Sequence, residues 1–281
     1  DKAKIQMRQY IQDLKMGAQF VWAGKQVEEC DCGITGELIH APHLQLAIDD
    51  YAKSIEMQIL DDQIDKTRVY KITSTKGSDV GKVNGLVVVG GSTGDVITVT
   101  AWIRKVKEHE RADFVVTGMP TEADTWMQNS VRTVRTTIYR LYGIDIGKDY
   151  YTHVSFLQSD PKSVDGPSAG ITMTLAIMSW LGDPRIPEAD RAPVLIRQDT
   201  AITGTVENMG MDGEQDTKVG PIGGVFEKVY GASKWGATRV IIPMENYNHN
   251  WFESPLFKKV KVHGASSVLQ YFDMLRTALN D

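Results

Sequence analysis

Apolar positions along the chain recur first at helical and then at strand spacing. Ile5, Met7, Ile11, Leu14, Met16 and Phe20 fall at roughly helical intervals that end at Gly24, and a second helix is expected over residues 42–64. From Val80 the pattern changes. The runs VGKVNGLVVVGG and DVITVTAWI are β-rich and are separated by the glycine-rich residues 90–94, which predicts a hairpin. Residues 113–118, DFVVTG, read as a strand entering a loop. Val131, Val134, Ile138 and Leu141 place a helix over residues 128–142, and THVSFLQ at 152–158 supplies a further strand. Residues 163–181, SVDGPSAGITMTLAIMSWL, turn uniformly apolar after Ser168, so a helix is expected to open at Pro167 or Ser168. A Gly-Gly turn and a helix carrying Lys228 follow at 219–232, then a late strand at 240–243. An amphipathic helix at 266–279, capped by Ser266 or Ser267, closes the pattern. Alternating strands and helices after residue 76 predict an α/β fold of mixed α+β layers, organised as a helical segment over 1–75 and a main domain over 76–281.

Two of these segments carry candidate chemistry. Ser168 falls at a helix N-terminus, where unpaired N–H groups and the positive end of the helix dipole stabilise negative charge. Asp165 or Ser168 could equally be a simple cap. Lys228 lies among Val225, Phe226, Val229 and Tyr230. Such a lysine can snorkel its ammonium to water. If it is buried instead, the charged form is disfavoured, and a fall of roughly three units from about 10.4 leaves a neutral amine near pH 7. A serine needs such a base to become a nucleophile.

The segments DGPSAG (165–170), Thr203-Gly204, PIGGVFEK (221–228) and VIIPMEN (240–246) occur in the order seen in Lon proteases. The chain resembles their Ser-Lys peptidase domain. That resemblance implies Ser168 as nucleophile, Lys228 as general base, Thr203 as a hydroxyl orienting the lysine, and Asp165 as a nearby acid. Backbone N–H groups from Gly166 to Ser168 would form the oxyanion hole. It further implies unfolded protein or peptide substrates, assembly as a hexameric ring, and coupling to an AAA+ ATPase. Residues 38–62 followed by DVGKVNGLVVVGG look like the end of the ATPase lid and its passage into the protease domain of archaeal-type members. No cofactor is expected in this chain, with ATP and magnesium confined to the linked ATPase.

The sequence departs from the family pattern in two ways. A family segment of glycine and glutamate corresponds to the loop at 117–127, TGMPTEADTWM, where Asp124 or Thr125 stands near the expected glutamate and Glu122 is the alternative. Residues 183–199 and 207–219 look inserted and are expected on the surface. Trp102, Phe114, Met119 and Trp126 are candidates to line substrate pockets.

Composition narrows the field. A net charge of −5 argues against a general nucleic-acid binder, which needs clustered lysine and arginine. Cys30 and Cys32 fit neither a zinc spacing nor a C-x-x-C pair, and the six histidines form no HExxH pair, so no metal is expected. Neither Gly24-Lys25-Gln26 nor Gly81-Lys82-Val83 completes a P-loop. No apolar run reaches the roughly 18 to 20 residues of a membrane span, and a cytoplasmic setting is expected. The first residue is Asp, which suggests an excised or processed chain. Two other functions compete with the peptidase: a non-catalytic domain of the same fold used in assembly or regulation, and a Ser-Lys amidase acting on small molecules.

Overall fold

The computed structural model describes residues 77–89, 93–118, 125–157, 168–207, 217–247, 252, 257 and 259–276. Short β1 (Ser78–Asp79) leads into β2 (Lys82–Val89) and β3 (Thr93–Lys105), which pair antiparallel from Lys82↔Thr100 to Val89↔Thr93 as the expected hairpin. Next come β4 (Asp113–Thr117), α1 (Thr125–Tyr142), β5 (Tyr150–Leu157) and α2 (Ala169–Leu181). Four short strands follow: β6 (Ile196–Arg197), β7 (Thr200–Ile202), β8 (Thr205–Glu207) and β9 (Lys218–Gly220). The chain closes with α3 (Val225–Lys234), β10 (Arg239–Pro243), β11 (Lys261–Ala265) and α4 (Val268–Leu275). Seven strands form one mixed sheet in the order β11-β10-β7-β2-β3-β5-β4. The α/β class expected from the pattern is the one observed.

Strand parity explains where the core lies. Val99, Ala101, Val154 and Phe156 are buried and cross-strand paired, whereas their neighbours Trp102 and His153 point to the other face. Helix α2 lies against the buried face, and ten of its thirteen residues are buried. A helix apolar all round can be stable only in such a sandwiched position. The predicted stripe of α1 packs beside it, with Val134 and Ile138 fully buried. Helix α3 takes the opposite face. Gly85 and its partner Ile97 face Thr172 of α2, while Gly94 and its partner Val88, three positions along β2, face α3.

Several boundaries differ from the pattern. Helix α1 begins at Thr125, so Thr125 is helical rather than part of the 117–127 loop. Helix α4 is capped by Ser267 and stops at Leu275, four residues short of 279. Arg276 turns extended, bridges to Ile196 and donates to Asp183 at 3.1 Å, contacts that a continued helix would forfeit. The stretch 183–199 is surface-exposed only in its middle: Asp183 and Ile196 at its two ends are buried. Residues 207 and 218 flank the other insertion as the paired ends of β8 and β9. The helices expected over 1–23 and 42–64 lie outside the described residues.

Candidate active site

Ser168 is the N-cap residue of α2, but its backbone is already helical (φ −69°, ψ −11°) and its side chain makes no capping hydrogen bond. The capping role that serine usually fills is not taken up, and the hydroxyl is left for other partners. Thr203 directly follows β7, fully buried, with its N–H donating to the Ile241 carbonyl at 3.2 Å. Lys228 enters from the other face of the sheet on the first turn of α3. Gly224 starts that helix in the left-handed region (φ 63°), where a side chain would be strained, and its carbonyl accepts from the Lys228 N–H at 3.0 Å.

These elements bring three side chains together. Lys228 Nζ lies 3.4 Å from Ser168 Oγ and 3.4 Å from Thr203 Oγ1. Both distances are long for hydrogen bonds, as is common before a substrate tightens a site. Lys228 is only 6% exposed, so the snorkelling alternative does not apply. Burial pushes its ammonium down to about 8, with the neighbouring carboxylate of Glu227 acting in the opposite direction. Roughly one lysine in ten is then neutral at pH 7. A narrow apolar crevice of about 10 Å³ opens beside Ser168, lined by Leu86, Val87, Ile97, Phe156 and Thr172. The arrangement can take a proton from a hydroxyl poised at a helix N-terminus.

Residues 54–279 match the family model described as the Lon protease (S16) C-terminal proteolytic domain. The chain belongs to that family. It is 32% identical over 230 residues to an archaeal Lon protease of Thermococcus kodakarensis, covering 82% of this chain and 32% of the relative. An archaeal Lon protease of Halobacterium salinarum is 30% identical over 223 residues, covering 79% and 29%. Lon protease 2 of Bacillus subtilis is 32% identical over 178 residues, covering 59% and 28%. The chain thus spans about a third or less of the length of these curated relatives.

Within this Lon-type domain, the side chains of Ser168, Thr203 and Lys228 lie together. Asp165 and Gly166 lie outside the described residues, as do Glu122 and Asp124 and most of the backbone expected to form the oxyanion hole. Trp102 stands on the face away from α2, 45% exposed and edge-on to Tyr151, and Phe114 packs against the core; neither lines the crevice. Met119 and the side chain of Trp126 are outside the described set. Sequence reasoning missed Phe156 and Leu86, which look like ordinary strand residues, and buried Glu227, which the PIGGVFEK motif contained but periodicity could not single out. Among the described residues, no group of three His, Cys, Asp or Glu could hold a metal, and no helix is long and apolar enough to cross a membrane.

Gly94 fixes how close α3 can approach. A Cβ there would collide with the Glu227 carbonyl, one residue before Lys228. Gly94→Ala is therefore expected to destabilise the domain by about 1–3 kcal/mol and to displace the lysine. Thermal melts read the first effect. Peptide turnover reads the second, falling even at temperatures where the variant is fully folded.

Proposed function

We propose that this chain is the proteolytic module of a Lon-type enzyme, a serine endopeptidase working through Ser168 and Lys228. The observation that carries the reading is the buried amine of Lys228 held between the hydroxyls of Ser168 and Thr203. In its neutral form the amine accepts the Ser168 proton as Oγ attacks the peptide carbonyl, while Thr203 Oγ1 accepts a hydrogen bond from the amine and keeps its lone pair aimed at Ser168. The resulting ammonium returns the proton to the leaving amine. An ester remains on Ser168. The lysine, neutral again, then deprotonates a water that hydrolyses the ester and frees the serine. Backbone N–H groups around residues 166–168, at the start of α2, are suited to hold the oxyanion, each such donor being worth about 3 to 4 kcal/mol.

The substrate reading rests on the strand beside the nucleophile. β7 pairs with β2 only at Asn84 and Gly85, and β2 runs on to Val89, with Gly85, Leu86 and Val87 lining the crevice beside Ser168. Among the described residues no strand takes that side of β2 beyond Gly85. An edge left open among the described residues can add an extended peptide by main-chain hydrogen bonds, which favours unfolded protein segments over a small amide. Coupling to an AAA+ ATPase that would bind ATP and magnesium, and assembly into a hexameric ring, are part of the same proposal. A retired scaffold is disfavoured on energetic grounds, because burying a lysine costs stability and serves nothing without the chemistry.

The reading predicts a pH dependence. With the base protonated below about pH 8, kcat/KM for an unfolded substrate should rise about tenfold per pH unit at low pH and level off above about pH 8. Initial rates with a fluorogenic peptide measure it. A profile flat across about pH 6 to 9 would assign the proton transfer to a different group.

A further inference from the structure

We propose that Tyr271 is a positioning residue for the general base, acting through Thr203. This inference rests on the Ser-Lys reading above and adds a residue that no motif contains. Tyr271 is fully buried on α4, and its hydroxyl donates to the Thr203 carbonyl at 2.8 Å. Thr203 lies just past the end of β7, and the next strand, β8, pairs with β9 in a separate two-stranded sheet. Its N–H still reaches β10 through Ile241, but its carbonyl is beyond the ladder. The phenol supplies the partner that the sheet does not.

The consequence reaches the lysine. With N–H and C=O both held, the peptide planes on either side of Thr203 are fixed, and with them the Cα–Cβ bond from which Oγ1 reaches to 3.4 Å from Lys228 Nζ. Gly204 leaves the room this needs, since a Cβ there would come within 3.2 Å of the Tyr271 hydroxyl and press on Val219. Burial drives the phenol's ionisation far above its usual value, so it remains a donor at every working pH. Helix α4 is itself fastened to the far end of α2. Arg185 donates to Asp273 on α4 at 2.6 and 3.0 Å and to Asp183, just beyond α2, at 2.7 and 2.8 Å, while Arg276 pairs with both carboxylates. Ser168 begins α2, so the elements that carry the nucleophile and the tyrosine are clamped together.

Tyr271→Phe keeps the ring and removes only the hydroxyl. It is expected to lower kcat on a fluorogenic peptide about tenfold, the effect of one buried hydrogen bond, with KM unchanged. Thr203→Val should lower kcat on its own, and the double variant Tyr271→Phe/Thr203→Val should be no slower than Thr203→Val alone, because the phenol works only through that hydroxyl. An unchanged kcat in Tyr271→Phe, or losses that multiply in the double variant, overturns the proposal and leaves Tyr271 a packing residue. If Tyr271→Phe does not fold, Asp273→Ala releases α4 from Arg185 at the surface. It must then lower kcat without raising KM, and an unaltered kcat again overturns the idea. Ser168→Ala assayed in parallel separates the two levels: undiminished cleavage there removes the peptidase reading itself, whereas a Ser168→Ala slowed by about 10⁴-fold beside a silent Tyr271→Phe removes only the role of the tyrosine.

Discussion

Ser168→Ala is expected to reduce cleavage of an unfolded protein such as casein by about 10⁴-fold or more while the domain stays folded. The size follows from the mechanism: without Oγ no ester can form, and the neutral lysine has no proton to accept from a nucleophile. The preserved fold follows from the local structure. The Ser168 side chain makes no capping bond to α2, its backbone is helical, and alanine suits that conformation. Melting should therefore change by less than about 1 kcal/mol. A serine-directed phosphonate should modify the parent chain at Ser168, as peptide mapping would locate, and leave the variant untouched. Full turnover by the variant, or modification at another serine, would be incompatible with this nucleophile.

Lys228→Met should remove activity by about 10³-fold or more and at the same time make the domain more stable at neutral pH. Methionine matches the length and the apolar surroundings of the lysine stem, so packing is retained. The gain comes from proton linkage. Burial holds the folded-state value at about 8 against an ordinary 10.5, so between those values the unfolded chain binds more protons than the folded one. Stability of the parent therefore rises as pH climbs through that window, and the burial cost is fully present below about pH 8. That cost is on the order of 3 kcal/mol. Denaturation at about pH 7 should find the variant the more stable of the two, and the difference should shrink towards about pH 10.5. Retained activity would assign the base to another group, and a variant less stable at pH 7 would contradict the burial cost placed on Lys228.

Much of the domain could be read from local pattern. The α1 stripe, the uniformly apolar α2 and the β2–β3 hairpin were legible because each carries a full period or two of its own repeat within one stretch of chain. β11, with Gly264 and His263 breaking its apolar run, and the two- and three-residue strands β1 and β6–β9 carry no such repeat, so they were missed. The end of α4 was overestimated for a related reason. Its stop is set by Asp183 and Ile196, which are distant in the chain.

The candidate site divides along the same line. The ordered segments DGPSAG, Thr203-Gly204 and PIGGVFEK were enough to name Ser168, Thr203 and Lys228 and to point to the family that the chain belongs to. They could not show that a hydroxyl and an amine 60 positions apart meet from opposite faces of one sheet, where β7 ends and β2 continues. Nor could they fix the protonation of Lys228 or bring in Tyr271. Residue type and periodicity act over a few neighbours and so write elements and motifs into the sequence. Burial, and with it an amine's readiness to give up its proton, is created only when distant segments pack together and exclude water.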